Sequence, residues 1–127
     1  MYRKNILIAD ANASVRLSLT HLLSYSGYSV QAVLPGQGVL QSLANGRYQL
    51  LLLEIDIPVC HGLQLLGAIR HCVPTLPIII LTTCHDTQTA VSAHQFSISS
   101  YLVKPISPAN LLYQIELALA CSSRSSY

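Results

Sequence analysis

The sequence predicts an α/β fold: one parallel sheet of five strands with helices packed on both faces. Three observations carry the prediction. Short apolar runs alternate with longer stretches of helical period, and the alternation recurs along the whole chain. Two of the runs, Leu50-Leu51-Leu52-Leu53 and Ile78-Ile79-Ile80-Leu81, are apolar at consecutive positions, as expected of strands covered on both faces at the centre of a parallel sheet. The chain has 127 residues, 51% hydrophobic and only 9% charged, which suits one domain with one core and argues against disorder.

Each element has its own local reason. NILIA (5–9) reads as a buried strand. From Ser14 to Tyr25, Val15, Leu19, Leu22 and Leu23 fall on one helical stripe, which Ser26-Gly27 ends. YSVQAV (28–33) is a second strand, and its polar alternation places it at an edge. A short helix over 36–45 is closed by Gly46. LLLLE (50–54) is the third strand and 63–71 the third helix. PIIILT (77–82) is the fourth strand, 86–96 a weak polar helix, and SYLV (100–103) the fifth strand. Ser107-Pro108 opens the last helix, serine as cap and proline in the first turn, and Leu111, Leu112, Ile115 and Leu119 form its apolar face. The domain is expected to span 1–121, with 122–127 (SSRSSY) a disordered tail.

Charge excludes some partners. The net charge is +2, and Arg3, Lys4, Arg16, Arg47, Arg70, Lys104 and Arg124 form no run, so no nucleic acid is expected. No segment is long enough to span a membrane. The basic start and its Ala-Asn-Ala stretch are too short in apolar residues, and interrupted by Asp10, to act as a signal peptide. Cys60, Cys72, Cys84 and Cys121 form no Cys-x-x-Cys pair, which suits a reduced, cytoplasmic protein. Cys60-His61 and Cys84-His85 fall in loops after the third and fourth strands, but their spacing is not a zinc signature. His71-Cys72 belongs to the opposite end of the fold. His21 and His94 read as surface helix residues.

In a doubly wound sheet the functional crevice lies beyond the carboxyl ends of the strands. Asp10 follows strand one. Glu54 closes strand three, with Asp56 just beyond. Strand four ends in Thr82-Thr83 and strand five in Lys104-Pro105. Strand two ends in Leu34-Pro35, which offers no chemistry. Of the 5 acidic residues, Asp10, Glu54 and Asp56 therefore gather at one edge with a lysine and two hydroxyls. Glu54 and Asp56, two apart, share a face if the strand stays extended.

The order ILIAD, SVR, LLLLEIDIP, HG, IIILTT, YLVKPIS resembles the receiver domain of bacterial two-component response regulators, over roughly Lys4 to Ala120. The resemblance implies the flavodoxin-like fold with strand order 2-1-3-4-5, a single-domain receiver, and a signalling module rather than an enzyme. It also implies phosphoryl transfer to an aspartate at the end of strand three, a Mg²⁺ held by that aspartate, an acid after strand one and a backbone carbonyl, and a hydroxyl and a lysine gripping the phosphoryl oxygens. By that resemblance the acceptor position falls on Glu54, and the strand-one acidic pair falls on Asp10 and Ala11. Ala11 thus lacks the carboxylate expected at the principal metal position. Asp56 would supply the carbonyl ligand, Thr82 the switch hydroxyl, Lys104 the lysine, Tyr101 the aromatic residue whose rotamer follows the switch, and Pro105 a cis proline.

The departures at positions 11 and 54 weaken the Mg²⁺ site of Asp10, Glu54 and Asp56 and argue against ordinary phosphorylation. Glu54 carries its carboxylate out by about 1.5 Å, and a misplacement of about 1 Å can cost on the order of a hundredfold in rate. Three readings stand open. The first is an atypical receiver fixed in one state, active-like or inactive, working by protein-protein contact with a histidine kinase or a downstream signalling protein. The second is a residual phosphoacceptor in a phosphorelay, through Asp56 or Glu54. The third is unrelated enzyme or metal chemistry, for which the crevice shows no nucleophile–base pair. The nearly uncharged stretch 87–100 and a last helix with only Glu116 disfavour a salt-bridged dimer, so a monomer or weak dimer is expected, with Tyr113 and Phe96 as anchors for a partner.

Overall fold

The computed structural model describes residues 3–55, 59–84 and 86–124. Its elements alternate without exception: β1 (Asn5–Ala9), α1 (Ala13–Tyr25), β2 (Ser29–Val33), α2 (Gln37–Asn45), β3 (Leu50–Glu54), α3 (Val59–Cys72), β4 (Ile78–Thr82), α4 (Thr87–His94), β5 (Ser100–Val103) and α5 (Pro108–Arg124). The strands form one sheet in the order β2-β1-β3-β4-β5, and every neighbouring pair is parallel. This is the doubly wound, flavodoxin-like arrangement.

The period of two along each strand sorts the core into two layers. Leu7, Leu51, Leu53, Ile78 and Ile80 face Val39 and Leu43 of α2, Leu66 and Ile69 of α3, and Ala93 of α4. Ile6, Ile8, Leu50, Leu52, Ile79 and Leu81 face Leu23 of α1 and Leu111, Ile115 and Ala118 of α5. The three central strands therefore need apolar residues on both faces through their middles, whereas β2 at the edge keeps polar Ser29 and Gln31 exposed.

Caps fix where the helices begin. Asn12 accepts from Val15 N at the start of α1, Asp86 from Thr89 N at the start of α4, and Ser107 from Asn110 N at the start of α5. Gly27, at φ 101°, makes the left-handed turn that takes the chain from α1 into β2.

Two boundaries differ most from the sequence reading, while α4 covers Thr87–His94 rather than 86–96 and β2, α2 and β4 each begin one residue later than expected. Helix α3 starts at Val59 rather than Leu63. Helix α5 continues through Ser122, Ser123 and Arg124, which the sequence reading assigned to a disordered tail; no proline or glycine stops it, so the backbone ladder propagates. The rest of that tail, 125–127, lies outside the described residues.

Candidate functional site

The parallel register brings the strand ends level. Ala9 pairs with Leu53, Glu54 with Leu81, and Thr82 with Val103. Just past the strands, Asp10 N donates to Val33 O, and Lys104 N donates to Thr82 O at 2.7 Å. Asp10, Glu54 and Lys104 consequently meet in one crevice, with Thr82 at the end of the strand beside Lys104.

Lys104 is its centre. The Nζ atom lies 3.0 Å from Asp10 Oδ2 and 3.2 Å from Glu54 Oε2. The other carboxylate oxygens accept from backbone amides: Asp10 Oδ1 from Asn12 N at 2.9 Å, and Glu54 Oε1 from Ala11 N at 2.8 Å. Asp10 and Ala11 are chain neighbours, so these contacts close a ring that runs from the Ala11 amide to Glu54, to Lys104, to Asp10. It ties together the ends of β1, β3 and β5. Arg16, on α1, donates from a guanidinium nitrogen to the Asp10 carbonyl at 2.6 Å.

Asp10 is 1% exposed, and a carboxylate so deeply buried needs such partners. Burial, the largest single influence on Lys104, would lower its pKa; the hydrogen bonds and charges of Asp10 and Glu54 together outweigh it and hold the group above its ordinary value of 10.5.

Thr82 is fully buried, and its Oγ1 accepts from Cys84 N at 3.0 Å. The Tyr101 hydroxyl donates to the Cys84 carbonyl at 3.3 Å, while its ring packs on the core layer beneath α2, α3 and α4. One loop residue thus joins both hydroxyls, its N–H donating to that of β4 and its carbonyl accepting from that of β5. The Lys104–Pro105 bond is cis.

Asp10, Glu54 and Lys104 come together as the strand ends suggested, Thr82 and Tyr101 are joined through Cys84, and Pro105 follows Lys104 through a cis bond. Asp56 lies outside the described residues, as do His85 and the side chains of Cys60 and His61, so the carbonyl-ligand and zinc expectations fall there too. Cys72 lines a groove with Lys4 and Tyr48 at the opposite edge of the sheet, as expected. Phe96 is not an exposed anchor: its ring lies 3.3 Å from where a Cβ on Gly67 would sit, and it packs on the core. Tyr113 is 58% exposed.

Three contributors escaped the sequence reading. The Ala11 and Asn12 amides carry no side-chain signature. Arg16 does have a signal, since a basic residue six positions after Asp10 sits in the first turns of α1, within reach of the strand end.

Comparison with known proteins agrees with this architecture. The sequence model of the response regulator receiver domain matches residues 6–116. The chain belongs to that family, the receiver domains of two-component signalling, which are signalling domains rather than enzymes. It is similar to the DNA-binding transcriptional regulator NtrC of Proteus hauseri, with 34% identity over 119 residues, covering 94% of this chain and 25% of the relative. It is also similar to the response regulator MprA of Mycobacterium sp. (strain KMS), 31% identical over 118 residues, covering 93% of this chain and 51% of the relative. The chain therefore spans a quarter to about half the length of these relatives. Among solved structures, a CheY-like receiver domain protein from Methanospirillum hungatei JF-1 superposes with a TM-score of 0.92 at 25% identity, covering 98% of this chain and 100% of that one.

The Mg²⁺ implied by the family resemblance does not fit the donors described. Such an ion needs oxygen ligands in near-octahedral geometry at about 2.0–2.1 Å. Position 11 offers no carboxylate, and the Lys104 ammonium already stands between the carboxylates of Asp10 and Glu54. Among the described residues, no cluster of three or more His, Cys, Asp or Glu is arranged to hold a metal.

Proposed function

We propose that this receiver signals without conventional aspartyl phosphorylation, as a domain held in one state whose output is a protein-protein contact. One observation carries the reading: the carboxylate at the acceptor position belongs to a glutamate and is engaged on both oxygens, by the Ala11 amide and by Lys104. The Lys104 ammonium and the Ala11 amide hold that carboxylate in one orientation, turned toward β1 and β5. The same carboxylate, set against Lys104, partly imitates a phosphorylated aspartate, with less charge and fewer acceptor oxygens. The Tyr101 ring, packed inward with its hydroxyl on Cys84, supports a settled state.

In this reading the partners are a histidine kinase or a downstream signalling protein, and the setting is the cytoplasm. Helix α4 carries no Asp, Glu, Lys or Arg, so a monomer or weak dimer is favoured over a salt-bridged one. Incubation with acetyl phosphate and Mg²⁺, followed by intact-mass measurement, is expected to leave the chain unmodified. A stoichiometric phosphate adduct mapped to Glu54 or Asp56 would make it a residual acceptor in a phosphorelay instead.

A further inference from the structure

We propose that the Lys104 ammonium is the resident cation of the crevice, taking the place of a divalent metal between Asp10 and Glu54. The proposal rests on the reading of an unphosphorylated receiver and specifies how its site is neutralised.

The geometry supplies the argument. A single Nζ touches one oxygen of each carboxylate, at 3.0 and 3.2 Å. A bridging cation would have to make the same pair of contacts. The two remaining oxygens are held by the Asn12 and Ala11 amides, which fix both carboxylates in place, so a metal bridging the other two oxygens must displace Lys104. Among the described residues, two carboxylates face the ammonium, and Arg16 adds a second cation through its bond to the Asp10 carbonyl. Counted over the described residues the charges balance, and a divalent ion would bring two more positive charges there, while losing water it releases reluctantly.

The departures at positions 11 and 54 act together. A carboxylate at position 11 would draw a divalent cation in, whereas the alanine leaves only its N–H facing the crevice. The extra methylene of Glu54 carries an oxygen to that N–H, so the acceptor side chain closes the gap itself.

The test uses the full chain labelled with ¹⁵N and no phosphodonor. Resonances of the Ala11 and Asn12 amides and of the Lys104 ammonium are followed as Mg²⁺ is added, and then with Mn²⁺ as a paramagnetic probe. The native protein is expected to show no shift or broadening at these groups in millimolar metal. Lys104→Met leaves the two carboxylates without their cation and is expected to bind Mn²⁺ at least about tenfold more tightly than the native chain. Where that variant does not fold, Lys104→Gln, which keeps a donor and removes the charge, gives the same readout. Native Mg²⁺ binding that displaces the ammonium would overturn the proposal, as would a folded neutral variant no tighter for Mn²⁺ than the native chain. A phosphate adduct in the acetyl phosphate experiment would overturn the functional reading separately, because no metal titration enters it.

Discussion

At the scale of single residues, the crevice turns on two positions whose effects are complementary. Glu54 reaches Ala11 N at 2.8 Å and Lys104 at 3.2 Å. An aspartate, about 1.5 Å shorter, could not span both. An aspartate at position 11 would keep the same backbone donor but add a carboxylate that repels Glu54. Reversing one change alone should therefore achieve little, since Glu54→Asp still lacks a metal ligand at position 11. Reversing both, Ala11→Asp with Glu54→Asp, restores two short carboxylates beside Asp10. The expected result is one phosphate adduct on the aspartate introduced at position 54 of the double variant in acetyl phosphate and Mg²⁺. The native chain and Glu54→Asp should stay unmodified by the same mass measurement. Equal labelling of the single and double variants would show that position 11 does not limit the chemistry.

At the scale of elements, the turn between α4 and β5 is held by one side chain. Arg70, near the end of α3, donates to the carbonyls of Phe96, Val73, Pro74, Leu76 and Ser97. Among the described residues its charge meets carbonyl dipoles, and burial lowers its pKa from the ordinary guanidinium value. Ser97 sits at φ 58°, a conformation unfavourable for a residue with a side chain, and its carbonyl is one of those Arg70 holds. Arg70→Met leaves these carbonyls without the guanidinium, at an expected cost of about 3 kcal/mol, measured by urea unfolding. Amide exchange should accelerate first at Ile98 and Ser99. The same scale shows what was legible in the sequence. β1 and β3 could be bounded from their apolar runs, because sheet burial demands those residues. The first turn of α3 could not: Cys60, His61 and Gly62 favour a loop locally, and tertiary contact overrides them. A Cβ on Gly62 would lie 2.6 Å from Ile55 Cβ, so α3 presses on the end of β3 where only glycine fits. Gly62→Ala should accordingly destabilise the fold by about 1–3 kcal/mol in the same urea experiment, although alanine is the better helix former. The Ala11 amide was illegible for a different reason, since backbone donors become directional only once the chain is folded.

At the scale of the whole molecule, stability comes mainly from two apolar layers, with few ionic terms, and those few have a definite pH signature. Burial works to lower the Lys104 pKa, but Asp10 and Glu54 outweigh it and hold the group above its ordinary value of 10.5. The native state therefore keeps this proton at a pH where the unfolded chain has released it. Stability from that ion cluster is fully present below the unfolded value and is lost as pH rises through the folded one. Tyr28 points the same way: burial first, and then the charge of Glu116, raise its pKa above 10.0, so the folded state also resists losing that proton. The expected outcome is a native unfolding free energy that declines on the alkaline side, beginning near about pH 10. In Tyr28→Phe part of this decline should vanish, and in Lys104→Met the remainder should flatten while stability at neutral pH falls by about 3 kcal/mol, because the buried Asp10 is left without its cation. Chemical unfolding of the three proteins across the alkaline range separates the contributions. An alkaline slope in Lys104→Met equal to that of the native chain would mean that the ammonium is not bound more tightly in the folded state, and the ring joining β1, β3 and β5 would then be a weak surface contact rather than a structural tie.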